Sequence, residues 1–442
     1  MASGDYYVDA AAGADTNGGT SEGAAIVSGA SADTDGTTTV DLSDDTPDLS
    51  GVSVGDCIYL ASENGNGIRS GDIFEITEVN DGADTVTVTP TPGTNANQAW
   101  AIGGAWATIS KAMLTVRNDG DHVYIKGGTN YTETATVSLI VEDATPCIIE
   151  GYTTTPGDNG LCIIDGGGVR ANGLADSVSG YGFYIFKNIR VTDCTGDGGN
   201  MAMLGTNYHN CHFDNNAGNG LILNDMNNVI GCSFDDNDDN GFIADYNQAV
   251  IGCRANRNGL VGLKITSGCV INCVAVSNAS MGIQVINNKS VMISLVMNCT
   301  VDGDGKDTDV GITLGGPNDS RQALCINNIA YDCGVGIDFP NQGGTAHSIV
   351  SMNNLVNSNT AAYANDGITH SGEVTDAPAF EAEGTDYRLA DASPAIDAGF
   401  DASQVCGFDP GCDIGAHQRE DDEGGEAGGG GLLSPNKRAG KQ

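Results

Sequence analysis

The chain has 442 residues, 58 acidic and 18 basic, for a formal charge of −40. A surface this negative repels nucleic acid and anionic lipid, which excludes a nucleic-acid-binding role. No apolar run approaches the ~20 residues of a membrane span, so no membrane insertion is expected, and 64 glycines with only 6% aromatic residues describe a turn-rich β protein.

In chain order, Met1-Ala2-Ser3-Gly4-Asp5 runs straight into strand-like Tyr6-Tyr7-Val8, with neither the basic nor the apolar region of a signal peptide, so none is expected. Residues 1–25 read as an N-terminal cap strand. Residues 26–102 read as an insert with strands of its own at Thr38–Leu42, Cys57–Leu60, Ile73–Val79 and Thr85–Val88. The phrases Val52-Ser53-Val54-Gly55-Asp56 and Asn80-Asp81-Gly82-Ala83-Asp84 supply tight turns, which predicts a small antiparallel barrel or sandwich. Such a module either packs on the cap or binds a partner or glycan.

Residues 120–375 repeat. Cys211, Cys232, Cys253 and Cys273 stand 21, 21 and 20 residues apart, and Gly220, Gly241, Gly262 and Gly282 each follow nine residues later. Apolar positions alternate around each Cys, as in Ile230-Cys232-Phe234 and Ile251-Cys253-Ala255, and again after each Gly, as in Leu221/Leu223 and Leu263/Ile265. Period two means strands, joined here by turns such as Asp214-Asn215-Asn216, and no single repeat has the apolar surface to fold alone. Equivalent strands stacked about 4.8 Å apart form parallel sheets around one continuous core. The expected architecture is all-β: a right-handed single-stranded parallel β-helix, a solenoid with coils of about 20–25 residues. The Cys column, continued by Cys299, faces inward, where a thiol behaves as a small apolar group; free thiols rather than disulfides are expected there. Val123-Tyr124-Ile125-Lys126, Cys147-Ile148-Ile149-Glu150 and Cys162-Ile163-Ile164-Asp165 read as the first coils. Cys406 and Cys412, in a loop near the end, either close a small ring or stay free.

Two segments carry a resemblance. Asp5–Asp9 with Gly13–Thr20 resembles the opening motif of pectate-lyase-like β-helix proteins, in which an aromatic-Thr-Ile-x-x-Ala helix plugs the first coil. Trp106–Ala112 fits that helix after the insert, which implies a capping helix within 103–119. Phe380, Asp386–Leu389, Ser393–Gly399 and Asp413–Gln418 resemble the terminal motif of right-handed β-helix repeat proteins. Residues 376–418 are accordingly expected to close the open end of the solenoid. Pro394 would end a coil, Gly399 would make a left-handed turn, and Asp397 and Asp413 would accept backbone N–H groups. Such caps occur on lyases, hydrolases and non-enzymes alike, so the resemblance implies fold and not activity. Residues 419–442, acidic and Gly-rich before turning basic at Lys437-Arg438, read as a flexible tether bearing a docking peptide.

The enzymes that this resemblance brings in act on acidic polysaccharides along one sheet. An eliminative mechanism needs a base, often Arg or Lys of lowered pKa, and commonly calcium to neutralise the uronate. Arg254, Arg257 and Lys264 are the candidate catalytic residues, and His212, Gln284, Tyr181 and Tyr184 the candidate substrate-binding ones. Asp236, Asp238 and Asn240 match the first half of an EF-type loop, with Asn247 where the bidentate Glu belongs, and Asp302, Asp304 and Asp307 crowd another turn; calcium is the candidate cofactor at both. The competing readings are local ion pairs for the cations and conformational turns for the acids. The Asn-Thr-Asp, Gly-His-Gly and Arg-Ile-Lys segments of polygalacturonase-type hydrolases are absent.

The leading expectation is a structural surface protein of a phage or virus-like particle, a decoration, fibre or spike component, at the virion surface or otherwise extracellular. It would attach to a capsid or tail protein through the insert or the C-terminal tail and bind host polysaccharide; homo-oligomerisation is compatible with the scaffold. The alternatives are a calcium-assisted polysaccharide lyase, distinguished by its unsaturated products, and a bacterial surface adhesin, distinguished by an export route.

Overall fold

The computed structural model describes residues 4–63, 72–115, 120–139, 146–176, 182–202, 204–246, 248–286, 293–304, 308–315, 322–340, 348–364, 370–382, 386–396, 398–399 and 415. The chain divides into two units, Met1–Asn227 and Asn228–Gln442. Each is built from parallel sheets whose strands recur once per coil, the arrangement of a right-handed parallel β-helix.

In the first unit the first sheet holds Asp5–Val8, His122–Lys126, Cys147–Tyr152, Tyr184–Lys187 and Asn207–His209. The second sheet holds Cys162–Asp165, Ile189–Thr192 and His212–Asp214, and the third Val137–Leu139, Leu174–Asp176, Gly199–Met201 and Leu221–Leu223. After the first strand the chain leaves the solenoid to form a closed antiparallel barrel, ordered Val27–Asp35, Thr39–Asp41, Thr85–Thr89, Ile73–Asn80, Cys57–Leu60, Thr94–Ile102. Leu42, Ile58, Phe74, Val86 and Trp100 fill it. The barrel's first and last strands are additions to the four expected ones. Their Ser, Gly, Ala and Asn content gives little strand propensity, and pairing with each other, Val27 opposite Ile102, holds them extended.

The helix Ile109–Thr115 follows the barrel. Trp106 just before it is fully buried, stacks on Tyr6 at 5.6 Å and donates from Nε1 to the Asn17 carbonyl at 2.8 Å. Asp15 accepts from the Ala107 and Thr108 amides at 3.1 and 2.9 Å, and Glu133 accepts from the Ile109 and Ser110 amides. The first N–H groups of the helix, which have no partner within it, are thereby satisfied. This is the physical role of the Asp in the opening motif. No described helix is long and apolar enough to cross a membrane.

In the second unit the first sheet holds Asn228–Ile230, Gln248–Ile251, Gly268–Ile271, Ile293–Met297, Gln322–Ile326, Ser348–Met352 and His370–Ser371. Its register aligns Ile230 with Ile251, Ile271, Met297, Ile326 and Met352 in one column. Val229, Val250, Val270 and Val296 form the neighbouring column and are fully buried. The second sheet runs from Ser233–Asp235 through Arg254–Asn256, Val274–Val276, Thr300–Asp302 and Ile329–Tyr331 to Leu355–Asn357. The third runs from Phe242–Ala244 through Val261–Ile265, Met281–Val285, Val310–Leu314 and Val335–Asp338 to Ala361–Ala364.

The corners explain the repeat. Asn272, Asn298, Asn327 and Asn353 turn the chain from the first sheet to the second with φ of 54°, 53°, 57° and 51°, a left-handed geometry that Gly231 and Gly252 adopt at the same place. The next residue is the repeated Cys at Cys232, Cys253, Cys273 and Cys299, and a buried Asn at Asn328 and Asn354. The buried Cys thiol donates back across the corner, from Cys273 to the Ile271 carbonyl at 3.3 Å and from Cys299 to that of Met297 at 3.4 Å. The described cysteines are free thiols. Five residues on stands a second column, which the Cys spacing does not announce: Asn237, Asn258 and Asn278 are buried, and each Oδ1 of Asn258 and Asn278 accepts the backbone amide one coil earlier at 3.1 Å. The repeated Gly follows from this column. A Cβ on Gly241 would lie 2.7 Å from the Gly262 carbonyl oxygen and 2.8 Å from the Asn258 amide nitrogen.

Within residues 376–418 a hairpin, Phe380–Ala382 with Asp386–Leu389, lies on the outer face of the second sheet. Tyr387 packs on Val274 and Val276 and donates its hydroxyl to Asp302 Oδ2 at 2.6 Å, while Leu389 and Ala395 pack on Ile329 and Leu355. The physical reason is that Val274, Val276, Ile329 and Leu355 give the outer face of this sheet an apolar stretch, and an apolar strap is what buries it. Gly415 continues along the same coils, its amide donating to the Asn327 carbonyl at 2.8 Å. Asp397, Asp413, Cys406 and Cys412 lie outside the described residues.

Candidate functional site

Strand alternation fixes which side chains of the first unit's first sheet face out. In His122–Lys126, Val123 and Ile125 are fully buried, so His122, Tyr124 and Lys126 point away from the core. The register then aligns Tyr7, Tyr124, Glu150, Lys187 and His209 in one outward column. Asp5, His122, Ile148, Ile185 and Asn207 form the column beside it.

The groups in these columns engage one another. The Tyr7 and Tyr124 rings stack at 5.5 Å and 26°, and the His122 ring stacks on Tyr124 at 3.9 Å and 28°. Tyr152, fully buried, meets Tyr124 edge-on at 6.3 Å and holds it from below. Glu150 Oε2 lies 3.1 Å from His122 Nε2 and 3.5 Å from Lys187 Nζ. Lys126 Nζ reaches Asp9 at 3.3 Å. Burial pushes the Asp9 carboxyl up, but the Ala11 and Ala12 amides and Lys126 outweigh it and hold the pKa below the ordinary value.

Burial lowers the pKa of His122 against the opposing pull of Glu150, and burial with the Lys187 charge lowers that of His209. Both imidazoles are therefore neutral donor–acceptor groups at neutral pH. Burial, with Asp5, raises the Tyr7 and Tyr124 hydroxyls, which stay protonated. The result is a half-buried stack of Tyr7, Tyr124 and His122, bordered by the His209 imidazole, the Lys187 ammonium and the buried Glu150 carboxylate. Ring faces stack on the C–H faces of pyranoses, and the mixed polar border can both donate to and accept from hydroxyls.

The residues singled out by sequence fall elsewhere and apart. Arg254 is on the second sheet of the second unit, where its Nε and Nη2 donate to Asp235 Oδ2 at 3.0 and 2.7 Å. Arg257 stands at a corner with φ of 55° and grips both oxygens of Asp236 at 2.6 Å. That bond raises the Arg257 pKa, the direction opposite to what a base needs. Lys264 is on the third sheet, opposite Gln284, so it shares no sheet with Arg254. His212 lies in the first unit opposite Arg190, which is itself paired with Asp214. Tyr184 points inward and is buried, because its position in the alternation matches Cys147 and Phe186 rather than Ile185. Tyr181 lies outside the described residues.

The acidic turns are equally committed. Asp236 faces Arg257, Asn240 Oδ1 accepts the Val261 amide at 3.2 Å, and Asp238 is exposed. Asp302 is turned into the Tyr387 hydroxyl, Asp304 accepts from Ser277, and Asp307 lies outside the described residues. Among the described residues no three His, Cys, Asp or Glu side chains are grouped to hold a metal ion. The Tyr124 patch was missed although its signal was present: His122-x-Tyr124-x-Lys126 interleaves with Val123 and Ile125 just as the later repeats do.

No family model matches the chain, and no curated protein matches it. Among solved structures it is similar to the Agl-KA catalytic domain, with 11% identity over 72% of this chain and 83% of that one and a TM-score of 0.33. It is similar to the catalytic domain of a GH87 alpha-1,3-glucanase in complex with nigerose, with 13% identity over 78% and 88% and a TM-score of 0.35. It is also similar to the tailspike protein gp49 from Pseudomonas phage LKA1, with 10% identity over 84% and 71% and a TM-score of 0.20.

Proposed function

We propose that the chain is a polysaccharide-binding surface protein of a phage or virus-like particle, taking glycan on the outer face of the first sheet of its first unit. The observation that carries this reading is the joint placement of the stacked Tyr7 and Tyr124 rings beside His122, Glu150, Lys187 and His209. Ring stacking supplies affinity and the bordering groups supply orientation. Attachment to a capsid or tail protein falls to the barrel or to residues 419–442. Binding without turnover is favoured over eliminative chemistry because Arg254 and Arg257 are held in carboxylate pairs. Glu150 faces Lys187 and His122, and calcium-independent binding is the outcome this reading expects.

The test is calorimetry of the full chain against a panel of bacterial surface polysaccharides, with and without a chelator. At least one polysaccharide binds in both conditions, and Tyr124→Ala weakens it about three- to tenfold with the fold retained. Absence of binding across the panel, or unchanged affinity in a Tyr7→Ala/Tyr124→Ala double variant, overturns the reading. Release of unsaturated products would return the assignment to a lyase.

A further inference from the structure

The second unit carries an outward face of a different kind. The column Ile230, Ile251, Ile271, Met297, Ile326, Met352 is aligned strand by strand on the first sheet, each member partly exposed. The outward column beside it continues the pattern with Ala249, Cys269, Leu295 and Leu324. Neither column holds a carboxylate, lysine or arginine at these positions, in a chain with 58 acidic residues. Among the described residues, the apolar contacts of the C-terminal strap go to Val274, Val276, Ile329 and Leu355 of the second sheet. A contiguous apolar surface of this kind marks an interaction site.

We propose that this face is the interface between copies of this chain. Charge argues for that occupant. Two molecules of charge −40 repel wherever their acidic surfaces meet, and this uncharged face is where that cost is least. An anionic lipid surface would be repelled by the acidic remainder of the chain, and a polysaccharide would find no hydrogen-bonding side chain on the Ile230–Met352 column. Shape argues the same way. Stacked coils corrugate the face at about 4.8 Å, and a second copy brings rows of branched apolar side chains with the identical period. The inference is independent of the glycan reading, which concerns the first unit.

Sedimentation velocity of the full chain tests it. The wild type sediments as a multiple of the chain mass, and association strengthens with added salt, because screening removes repulsion; ion-pair-driven assembly would weaken instead. Ile271→Glu/Met297→Glu sediments at the single-chain mass with an unchanged circular dichroism spectrum, and Lys264→Glu, on the third sheet, leaves assembly intact. Cys269, partly exposed in the apolar face, gives a second readout. Its maleimide labelling, read by peptide mapping, is slowed several-fold on raising the wild-type concentration through the assembly range. A wild type that stays single at all concentrations overturns the proposal and assigns the face to another partner. A folded Glu variant that still assembles overturns it too. Should the Glu variant misfold, Cys269 labelling that is independent of concentration overturns it in the same way.

Discussion

The first sheets of the two units have the same inner face and opposite outer faces. Inward, the first unit stacks Val123, Ile149, Phe186 and Tyr208, with the last two rings at 5.0 Å and 8°, and the second stacks Val229, Val250, Val270 and Val296. Outward, the first presents Tyr7, Tyr124, Glu150, Lys187 and His209, and the second Ile230, Ile251, Ile271 and Met297. Each coil must match the coil on either side of it in its inward residue, because a void or a charge there is felt by both neighbours. The outward residue answers to no such constraint. In this solenoid the fold is written on one set of alternate positions and the surface chemistry on the other.

The sharpest break of the comparison is a charge placed inward. Val270→Asp lowers stability by about 3 kcal/mol or more, enough to unfold the second unit, and Phe186→Ala costs about 3–5 kcal/mol in the first. The outward exchange Tyr124→Ile leaves the unfolding free energy within about 1 kcal/mol of wild type while abolishing stacking on sugar. Denaturant melts of the three variants, with glycan binding measured on the last, check the division. Equal destabilisation by inward and outward changes would dissolve it.

This division also sets what was legible in the sequence. Inward positions repeat, so the Cys211, Cys232, Cys253 and Cys273 register and the alternation around it specify sheets and stacking without a structure. The Asn237, Asn258 and Asn278 column has the spacing of its Cys partners and was available to the same reading, but Asn in a turn has a sufficient local explanation and hides its cross-coil bond. The outward Ile230, Ile251 and Ile271 do repeat, but the alternation puts them on the side of Cys232, Cys253 and Cys273; the left-handed corner at Gly231, Gly252 and Asn272 reverses the parity and turns them out. Most other outward residues do not repeat. Arg254 and Lys264 stood out as cations among acids, yet which sheet each occupies, and that Asp235 lies diagonal to Arg254, depend on where the corners fall. The Tyr7 partner of Tyr124 is separated from it by the whole barrel, a distance along the chain that no local pattern spans.

The C-terminal strap is the place where outward positions become core, and it blurs the comparison in a measurable way. Tyr387→Phe removes the 2.6 Å bond to Asp302 and leaves a buried carboxylate one donor short. A loss of about 1.5–3 kcal/mol is expected, read as earlier hydrogen exchange at Val274–Val276 than in the inward column. No change in either would mean that the strap rests on the second sheet without stabilising it.

Acidification distinguishes the two outer faces. His122 and His209 have pKa values lowered from 6.5 in the folded first unit, whereas the Ile230–Met352 column carries no titratable side chain. The unfolded chain protonates these imidazoles first, so the stability they permit is complete above 6.5 and is lost as pH falls below it toward the folded values. Asp9, Asp41 and Asp48, with pKa values lowered from 3.8, lose their contributions only at still lower pH. Urea midpoints at pH 7.5 and 5.5 therefore fall in the wild type and stay level in His122→Gln/His209→Gln. A wild-type midpoint that is flat over this interval would show that the outer face does not sense the pH.

The smallest effects separate the two arginines. Arg257 and Asp236 are both well exposed, so Arg257→Gln changes stability by less than about 0.5 kcal/mol, and salt removes even that. Arg254 is also exposed, but its partner Asp235 is buried, and burial raises the Asp235 pKa against the pull of Arg254. Arg254→Gln leaves that carboxylate without its counter-charge and costs about 1 kcal/mol. The sign of the pH dependence follows. With Arg254 gone, Asp235 titrates higher still in the folded chain, so the deficit is largest near neutrality and shrinks as falling pH protonates the buried group. Equal losses in the two variants, or an Arg254→Gln deficit that grows on acidification, would mean that Asp235 is solvated and that the outward side of the second sheet is as tolerant as the first unit's tyrosine face.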